Sequence, residues 1–261
     1  MTTLSSIPFT LDVPTIFSLT AALSLLPTAL FLSIALIPSS RPRDRFLIFW
    51  HAYDALTHFL IEGSYLYNCF FSFITLNAPS LSRSGPYFLN QADRLYGPAY
   101  GTGPTGRLWQ EYGKADRRWL GADEGVIALE LLTVILGGPA AAYVCYLVYK
   151  SGKDAAQKKS ASASASVSRA RGKMWFVASG LAVAELYGGF MTFAPEWLTG
   201  STALDTSDPM YLWVYLVFFN GLWVVMPIYV LWAGWREVGD AFVEAAAVKT
   251  VEEGDGEKKR K

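Results

Sequence analysis

The chain has 261 residues, of which 52% are hydrophobic and 15% aromatic, and its 22 basic residues balance its 22 acidic ones. Nucleic acid binding requires an excess of basic side chains, so no nucleic-acid partner is expected. Residues 13–40 and 209–235 carry no charge at all. Each run is longer than the roughly 20 residues that cross a bilayer. Composition therefore indicates an all-α polytopic membrane protein embedded in a lipid bilayer.

Five transmembrane helices are predicted in chain order, at residues 13–40, 45–73, 125–149, 173–195 and 209–235. The long connection between helices two and three, residues 76–123, is rich in tyrosine and tryptophan. Long loops of this kind tend to be ordered and functional, so we expect an ordered lumenal loop. Within it, residues 108–120 have the pattern of a short amphipathic helix lying at the membrane interface.

We divide the chain into three parts: an N-terminal helix with a short cytosolic loop (1–44), a four-helix catalytic membrane domain (45–236), and a cytosolic tail (237–261) that we expect to be disordered. Sixteen of the 22 basic residues follow helices one, three and five. The positive-inside rule therefore predicts a lumenal N-terminus and a cytosolic C-terminus. The basic residues 258–261 suit either an endoplasmic reticulum retrieval signal or a solvated tail.

Ionisable side chains recur inside the predicted helices. Asp54, His58 and Glu62 are spaced by four residues, so they stack along one helix face. Three more polar side chains fall at comparable depth on the other helices: Glu130, Glu185 and Asn220. An ionisable group in hydrocarbon costs about 2.5–3.5 kcal/mol on insertion scales. Several of them together predict a polar chamber within the membrane.

The chemistry of this chamber follows from its side chains. A carboxylic acid in an apolar site keeps its proton more readily than in water, and a neighbouring His58 can hold or relay that proton. The indole of Trp223 offers a π face to a positive charge on a substrate. This set suits proton-driven isomerisation or cyclisation of an alkene. A single His–Glu pair is too sparse to predict a metal site, and neither a metal nor a cofactor is expected.

Plainer interpretations stand beside this one. Asp54 can pair with His51, or with an arginine near the cytosolic end, without any role in chemistry. Glu185 and Asn220 can serve as hydrogen-bonding links between helices. Trp213 and most other aromatic residues are then ordinary packing or membrane-interface residues.

Several segments resemble signature segments of the emopamil-binding protein family. They are His-Phe-Leu-Ile-Glu-Gly at 58–63, Leu-Trp-Gln-Glu-Tyr-Gly-Lys-Ala-Asp-Arg-Arg-Trp-Leu-Gly at 108–121, Glu130 with Thr133, Gly-Pro at 138–139, Tyr-Gly at 187–188, Pro-Met-Tyr at 209–211 and Asn-Gly-Leu-Trp at 220–223. The resemblance implies a sterol 8,7-isomerase of the endoplasmic reticulum. Such an enzyme moves a ring double bond from 8(9) to 7(8), by protonation at carbon 9 and loss of a proton from carbon 7.

The resemblance also implies roles for individual residues. The catalytic residues would be His58, Glu62, Glu130, Asn220 and Trp223. Glu62 and Glu130 would be the proton donor and acceptor, in an order that the sequence leaves open, and Asn220 and Thr133 would orient them. The residues expected to contact substrate are Thr133, Tyr112, Glu185, Tyr187 and Tyr215. The implied partners are a sterol substrate, cationic amphiphilic inhibitors and, as an open question, a second copy in a homodimer.

One position departs from the family pattern: Glu185 stands where family members more often carry a neutral amide. This departure leaves two alternative functions open: a membrane terpene cyclase, or a sterol-isomerase-like enzyme of secondary metabolism. A non-catalytic sterol-binding protein is a further alternative, although such a protein would be expected to lose the acid pair. A transporter or proton channel would need a polar path across the whole membrane, which the first and fifth predicted helices do not offer.

Overall fold

The computed structural model describes residues 9–76, 85–156 and 161–258. Its helices are α1 (Val13–Leu36), α2 (Pro42–Leu56), α3 (Gly63–Phe71), α4 (Pro104–Tyr112), α5 (Glu124–Leu132), α6 (Gly138–Ala156), α7 (Ala161–Thr199) and α8 (Phe219–Lys258). Three π-helical segments join or extend them, at Thr57–Glu62, Thr133–Gly137 and Met210–Phe218. The protein is an all-α polytopic membrane protein.

Four helical stretches are long and apolar enough to cross a membrane among the described residues: Val13–Leu36, Glu124–Lys153, Ser164–Thr199 and Met210–Val248. They correspond to predicted helices one, three, four and five. The predicted second helix is present as the column α2, Thr57–Glu62 and α3. That column is not among the four stretches, because polar side chains along it such as Asp54, His58 and Glu62 lower its mean hydropathy. The count of five therefore stays a prediction.

The helices pack in a fixed order around the bundle. α6 lies between α2 and α7, α7 packs against α8, and α1 packs against α2 and α4. α1 starts at Asp12, whose carboxylate caps the helix by accepting from the Thr15 amide at 2.9 Å. Its buried face consists mainly of small side chains, which let α1 approach its neighbours closely.

A short antiparallel hairpin and α4 form a cap over one end of the bundle. We call residues 85–123 the capping loop. Strand β1 (Phe73–Thr75) pairs with β2 (Arg94–Tyr96), with Phe73 opposite Tyr96. Within the capping loop, the rings of Trp109 and Trp119 stack with their centroids 4.7 Å apart, and both side chains are buried. The ordered loop predicted from the sequence is therefore present in this range.

The predicted amphipathic helix 108–120 is wrong in its extent. α4 ends at Tyr112, and a separate 3₁₀ turn covers Arg117–Leu120. Gly113, a poor helix former, follows the last residue of α4. Trp109 donates its indole N–H to Ser64 Oγ of α3 at 2.9 Å. The segment thus packs onto α3, and its expected position at the membrane interface stays a prediction.

Charged residues gather at the end of the bundle opposite the capping loop. Arg171 of α7 donates to Asp44 of α2 at 2.6 Å and to Glu237 of α8 at 2.5 Å, and Arg43 joins Glu237 at 2.6 Å. At the capped end, the Phe9 amide donates to Asp208 at 3.2 Å. Phe9 and the Arg43–Arg171 ion-pair cluster therefore lie at opposite ends of the bundle.

The tail differs from its prediction. α8 continues to Lys258, so residues 237–258 are helical and not disordered. A helix that is already formed extends at little cost through alanine, glutamate and lysine, which are strong helix formers and recur after residue 243. Residues 259–261 of the terminal basic run lie outside the described residues.

Candidate active site

A cavity of about 480 Å³ opens between the helices beneath the capping loop. Its volume lies in the range of roughly 300–1,000 Å³ that is typical of pockets for small ligands. Its walls are mostly apolar, from residues such as Leu25, Ile61, Leu129, Leu181 and Phe219. All ten residues predicted for the site line it: His58, Glu62, Tyr112, Glu130, Thr133, Glu185, Tyr187, Tyr215, Asn220 and Trp223.

The π-helical segments place much of the polar wall. Thr57–Glu62 carries His58 and Glu62, Thr133–Gly137 begins at Thr133, and Met210–Phe218 carries Tyr215. A π turn widens the helix locally, and such turns are frequent at functional sites. The sequence analysis used a helical period of 3.6 residues, which does not reveal π turns, so it did not find these segments.

Two glycines allow the helical stretch from α5 through Thr133–Gly137 to α6 to approach His58 closely. A side chain at Gly137 would place its Cβ 3.2 Å from His58 Nε2, and one at Gly138 would place its Cβ 2.9 Å from the Phe59 ring. Both distances are too short for a relaxed contact. The two glycines therefore bring Thr133, which lies one turn before Gly137 on the same helical stretch, close to the helix that carries His58.

His58 lies between two carboxyl groups of its own helix. Its Nδ1 is 2.6 Å from Glu62 Oε2, and its Nε2 is 3.0 Å from Asp54 Oδ1. The second contact has the distance of an ion pair but not the direction of a hydrogen bond, since Nε2 has no hydrogen-bond partner by geometry. His58 and Asp54 are fully buried, at 2% and 0% exposed. The predicted stack of these three side chains is therefore present.

Thr133 connects the two glutamates that the sequence singled out. Its hydroxyl lies 2.6 Å from Glu62 Oε2, and 3.1 and 3.4 Å from the backbone oxygen and Oε2 of Glu130. Glu62 and Glu130 lie on different helical stretches, so only the packing of these helices brings their carboxyl groups together. The expectation that Thr133 orients the acids agrees with these contacts.

Trp223 is fixed against the same cluster. Its indole N–H donates to Asp54 Oδ1 at 2.8 Å, and its ring packs against Trp50 and Tyr53 at centroid distances of 5.6 Å. The sequence analysis offered a pairing of Asp54 with His51 or with an arginine as an alternative, and the structure instead places Asp54 against His58 and Trp223. His51 instead contacts the Leu47 carbonyl through Nδ1 at 2.8 Å. Asp54 faces inward because it lies one turn before His58 on the same helix face.

Asn220 lies further along the cavity, near the capping loop. Its amide nitrogen donates to Tyr112 Oη at 3.0 Å and to the carbonyls of Tyr215 and Leu216 at 3.1 and 2.8 Å. These carbonyls belong to the π segment before α8. None of these partners is an acid, so the structure does not support the expected role of Asn220 in orienting the carboxyl groups.

The capping loop adds a further buried carboxyl group to the cavity wall, Glu111, which the sequence analysis did not place in the site. Glu111 Oε1 accepts from Tyr215 at 3.0 Å, and Oε2 accepts from Thr15 of α1 at 2.8 Å and from Lys114 at 2.6 Å. Burial, followed by the charge of Asp116, raises the pKa of the nearby Tyr112 hydroxyl, which lies outside the membrane-spanning segments. Tyr112 is therefore a neutral phenol at physiological pH.

α1 also supplies part of the cavity wall, although the sequence analysis placed it outside the catalytic domain. Its lining residues are Ser18, Leu19, Ala22 and Leu25. The sequence carries one signal for this contact. Thr15, Ser18, Leu25, Ala29 and Ser33, which are the buried residues of α1, recur close to a helical period.

Glu185 of α7 is the remaining acid of the chamber, and Tyr187 lies beside it on the outer wall. Glu185 is 8% exposed, whereas Tyr187 is 63% exposed. One ligand-type atom each from Asp54, His58 and Glu185 lies within 4.8 Å of the other two. These three side chains are the described residues that could hold a metal ion.

Comparison with known proteins follows this geometry. The model of the EXPERA family, the expanded EBP superfamily, matches residues 104–234, which is half of the chain. The chain therefore belongs to this family, as the resemblance predicted.

Three curated relatives extend the match beyond that range. A probable 3-beta-hydroxysteroid-Delta(8),Delta(7)-isomerase of Oryza sativa subsp. japonica is 28% identical over 86% of this chain and 84% of its own length. An isomeliandiol synthase of Ailanthus altissima is 24% identical over 75% of this chain and 71% of its own length. The 3-beta-hydroxysteroid-Delta(8),Delta(7)-isomerase of Mus musculus is 25% identical over 83% of this chain and 76% of its own length.

Proposed function

We propose that the protein is a sterol isomerase that moves a ring double bond from 8(9) to 7(8). One observation carries the proposal: Glu62 and Glu130 meet at the Thr133 hydroxyl, inside an apolar cavity large enough for a small lipid. The relatives named as 3-beta-hydroxysteroid-Delta(8),Delta(7)-isomerases support the same reaction.

The acid pair supplies both proton transfers. Two negative carboxylates side by side in an apolar site repel each other, so one of the pair keeps its proton. That proton adds to carbon 9 while the π electrons of the double bond form the new C–H bond. A carbocation is left at carbon 8. The other carboxylate then removes a proton from carbon 7, and the electrons of that C–H bond form the 7(8) double bond.

His58 and Trp223 support this chemistry from behind the acids. The Nδ1 of His58 contacts Glu62 Oε2 at 2.6 Å, and its Nε2 lies 3.0 Å from Asp54 Oδ1, so a protonated imidazole would form a charge pair with either carboxylate. The indole of Trp223, held by Asp54, presents a π face to a cation in the cavity. The same face would attract the ammonium group of a cationic amphiphilic inhibitor, which resembles the charged intermediate.

The experiment is an incubation of the purified protein with an 8(9)-unsaturated sterol in deuterated water, analysed by mass spectrometry. The expected product is the 7(8) isomer with one deuterium at carbon 9. Glu196→Gln, which changes a buried carboxyl group outside the cavity lining, serves as the matched control and should convert normally. Binding of several such sterols without conversion or exchange would refute the proposal.

A second candidate is a membrane terpene cyclase or a sterol-isomerase-like enzyme of secondary metabolism. Two observations favour it: the similarity to an isomeliandiol synthase, and the extra carboxyl group of Glu185 in the chamber. Parallel incubations with terpene alkenes in place of sterols separate the two candidates. Conversion of the terpenes alone would favour the second.

We also propose an endoplasmic reticulum location with a lumenal N-terminus and a cytosolic C-terminus. The opposite placement of Phe9 and the Arg171 cluster supports this orientation. Glycosylation acceptor sites inserted after Met1 and after Lys261 provide the test. Modification of the N-terminal site alone is expected, and modification of the C-terminal site would reverse the orientation.

A further inference from the structure

A cluster of three buried donor atoms lies on the side of His58 that faces away from the acid pair. The atoms are Asp54 Oδ2, His58 Nε2 and Glu185 Oε1, and none of them has a hydrogen-bond partner. Their residues are 0%, 2% and 8% exposed. A buried polar atom without a partner is costly, because it has lost its bonds to water. Three such atoms on two helices, with side chains converging within 4.8 Å, indicate a ligand that satisfies all of them.

The donor set identifies the class of ligand. One imidazole nitrogen and two carboxylate oxygens suit a divalent transition-metal ion, whereas Mg²⁺ and Ca²⁺ prefer oxygen donors alone. Zn²⁺ binds histidine nitrogen and carboxylate oxygen at about 2.0–2.2 Å. One donor atom from each of the three side chains lies within 4.8 Å of the other two, so a small adjustment of the side chains would be needed to close around one ion.

The surroundings of the cluster are those of a metal site. His58 holds Glu62 through its other ring nitrogen at 2.6 Å, which is the usual arrangement behind a metal-binding histidine. Trp223 fixes Asp54 by donating to Oδ1 at 2.8 Å, which leaves Oδ2 free. His58 and Glu185 both line the cavity, so a water molecule could complete the coordination from that side.

The charge of the chamber favours a cation at this position. Two carboxyl groups face the ring nitrogens of His58 in a buried site, Glu62 at 2.6 Å and Asp54 at 3.0 Å. A bound dication would offset the charge of the ionised carboxylates there.

We propose that Asp54, His58 and Glu185 form a binding site for a divalent transition-metal ion, with Zn²⁺ the ion that the donors suit best. A second consequence rests on the proposed function. An ion on Nε2 prevents His58 from carrying a proton there, so Zn²⁺ should inhibit the isomerisation.

The test uses the full-length protein in detergent, stripped with EDTA, dialysed and titrated with Zn²⁺ in a calorimeter. Wild-type protein should bind one Zn²⁺ per chain. Asp54→Asn and Glu185→Gln, which keep the side-chain shape, should abolish this binding. Glu62→Gln should weaken it by about 10- to 100-fold, as removal of an outer hydrogen-bonding partner does. Glu196→Gln is the matched control and should bind as the wild type does.

Two results would overturn the metal site. One is wild-type protein that binds no Zn²⁺, in which case the facing carboxyl groups share a proton instead. The other is equal binding by wild type, Asp54→Asn and Glu185→Gln, which would locate the ion elsewhere. The absorption spectrum of Co²⁺-loaded wild-type protein gives a readout that needs no variant: absence of a protein-bound Co²⁺ signal also counts against the site. Isomerase activity of the stripped protein is scored separately, so failure of the proposed reaction and failure of the metal site remain distinguishable.

Discussion

Thr133→Val isolates the contact that carries the proposed reaction. Valine has nearly the shape of threonine but no hydroxyl, so the change removes the link at 2.6 Å to Glu62 and at 3.4 Å to Glu130. It leaves His58 as the remaining described partner of Glu62 Oε2. The two carboxyl groups then lose the hydroxyl that lies between them, and the geometry of proton delivery relaxes.

The size of the effect follows from the hydrogen bond. A bond to a charged acceptor contributes roughly 1.5–3 kcal/mol. Since about 1.4 kcal/mol corresponds to a factor of ten in rate, kcat/KM should fall by roughly 10- to 150-fold. Thr133→Ser restores the hydroxyl and loses one methyl group, worth about 0.8 kcal/mol, so it should recover most of the activity.

The assay is conversion of the 8(9) sterol by purified variants in detergent, with deuterium incorporation as a second readout. Thr192→Val is the matched control, because Thr192 also lines the cavity but its hydroxyl donates to the Gly188 carbonyl of its own helix at 2.9 Å. It should remain close to wild type. If Thr133→Val and Thr192→Val retain equal activity, the Thr133 bridge has no part in the reaction.

Three further predictions concern the acids, the indole and the link to α1. Glu62→Gln and Glu130→Gln should each lower turnover by about 10²- to 10⁴-fold while the protein still elutes as folded in size-exclusion chromatography. Wild-type turnover in either variant would remove that residue from the mechanism. Trp223→Ala should weaken binding of cationic amphiphiles more than binding of neutral sterols, measured by displacement of a labelled ligand. Equal losses for both ligand classes would make the ring a packing element. Thr15→Val takes a donor from buried Glu111 and should cost about 1–3 kcal/mol of stability, seen as a lower unfolding temperature in detergent. An unchanged unfolding temperature would mean that Tyr215 and Lys114 suffice for Glu111.

Helix periodicity explains which parts of the site were predictable. Asp54, His58 and Glu62 share one helix, so their spacing alone places them on one face. Uncharged runs located most of the helices, because burial in lipid excludes charge over about 20 residues. The ends of the helices were less predictable. α8 runs past residue 236 and α4 stops at Tyr112, since local propensity and glycine decide those ends more than hydropathy does.

The partner of Asp54 illustrates what local spacing leaves open. His51 and His58 lie at similar distances along the chain from Asp54, on either side of it. The sequence allowed either histidine as a partner, and the packed helix points Asp54 toward His58 and Trp223. Trp223 comes from α8, and its approach to Asp54 depends on the packing of the whole bundle.

By itself the amino-acid sequence determined the membrane class, most of the helical segments, the Asp54–His58–Glu62 stack and the list of polar residues in the chamber. These properties depend on residues close together in the chain. Only the tertiary structure decided that Glu130 meets Glu62 through Thr133, that Glu185 faces Asp54, and that α1 closes one wall of the cavity. Such contacts depend on the rotation and depth of each helix relative to its neighbours, which side-chain packing and the close approach at Gly137 set, and which no single helix encodes.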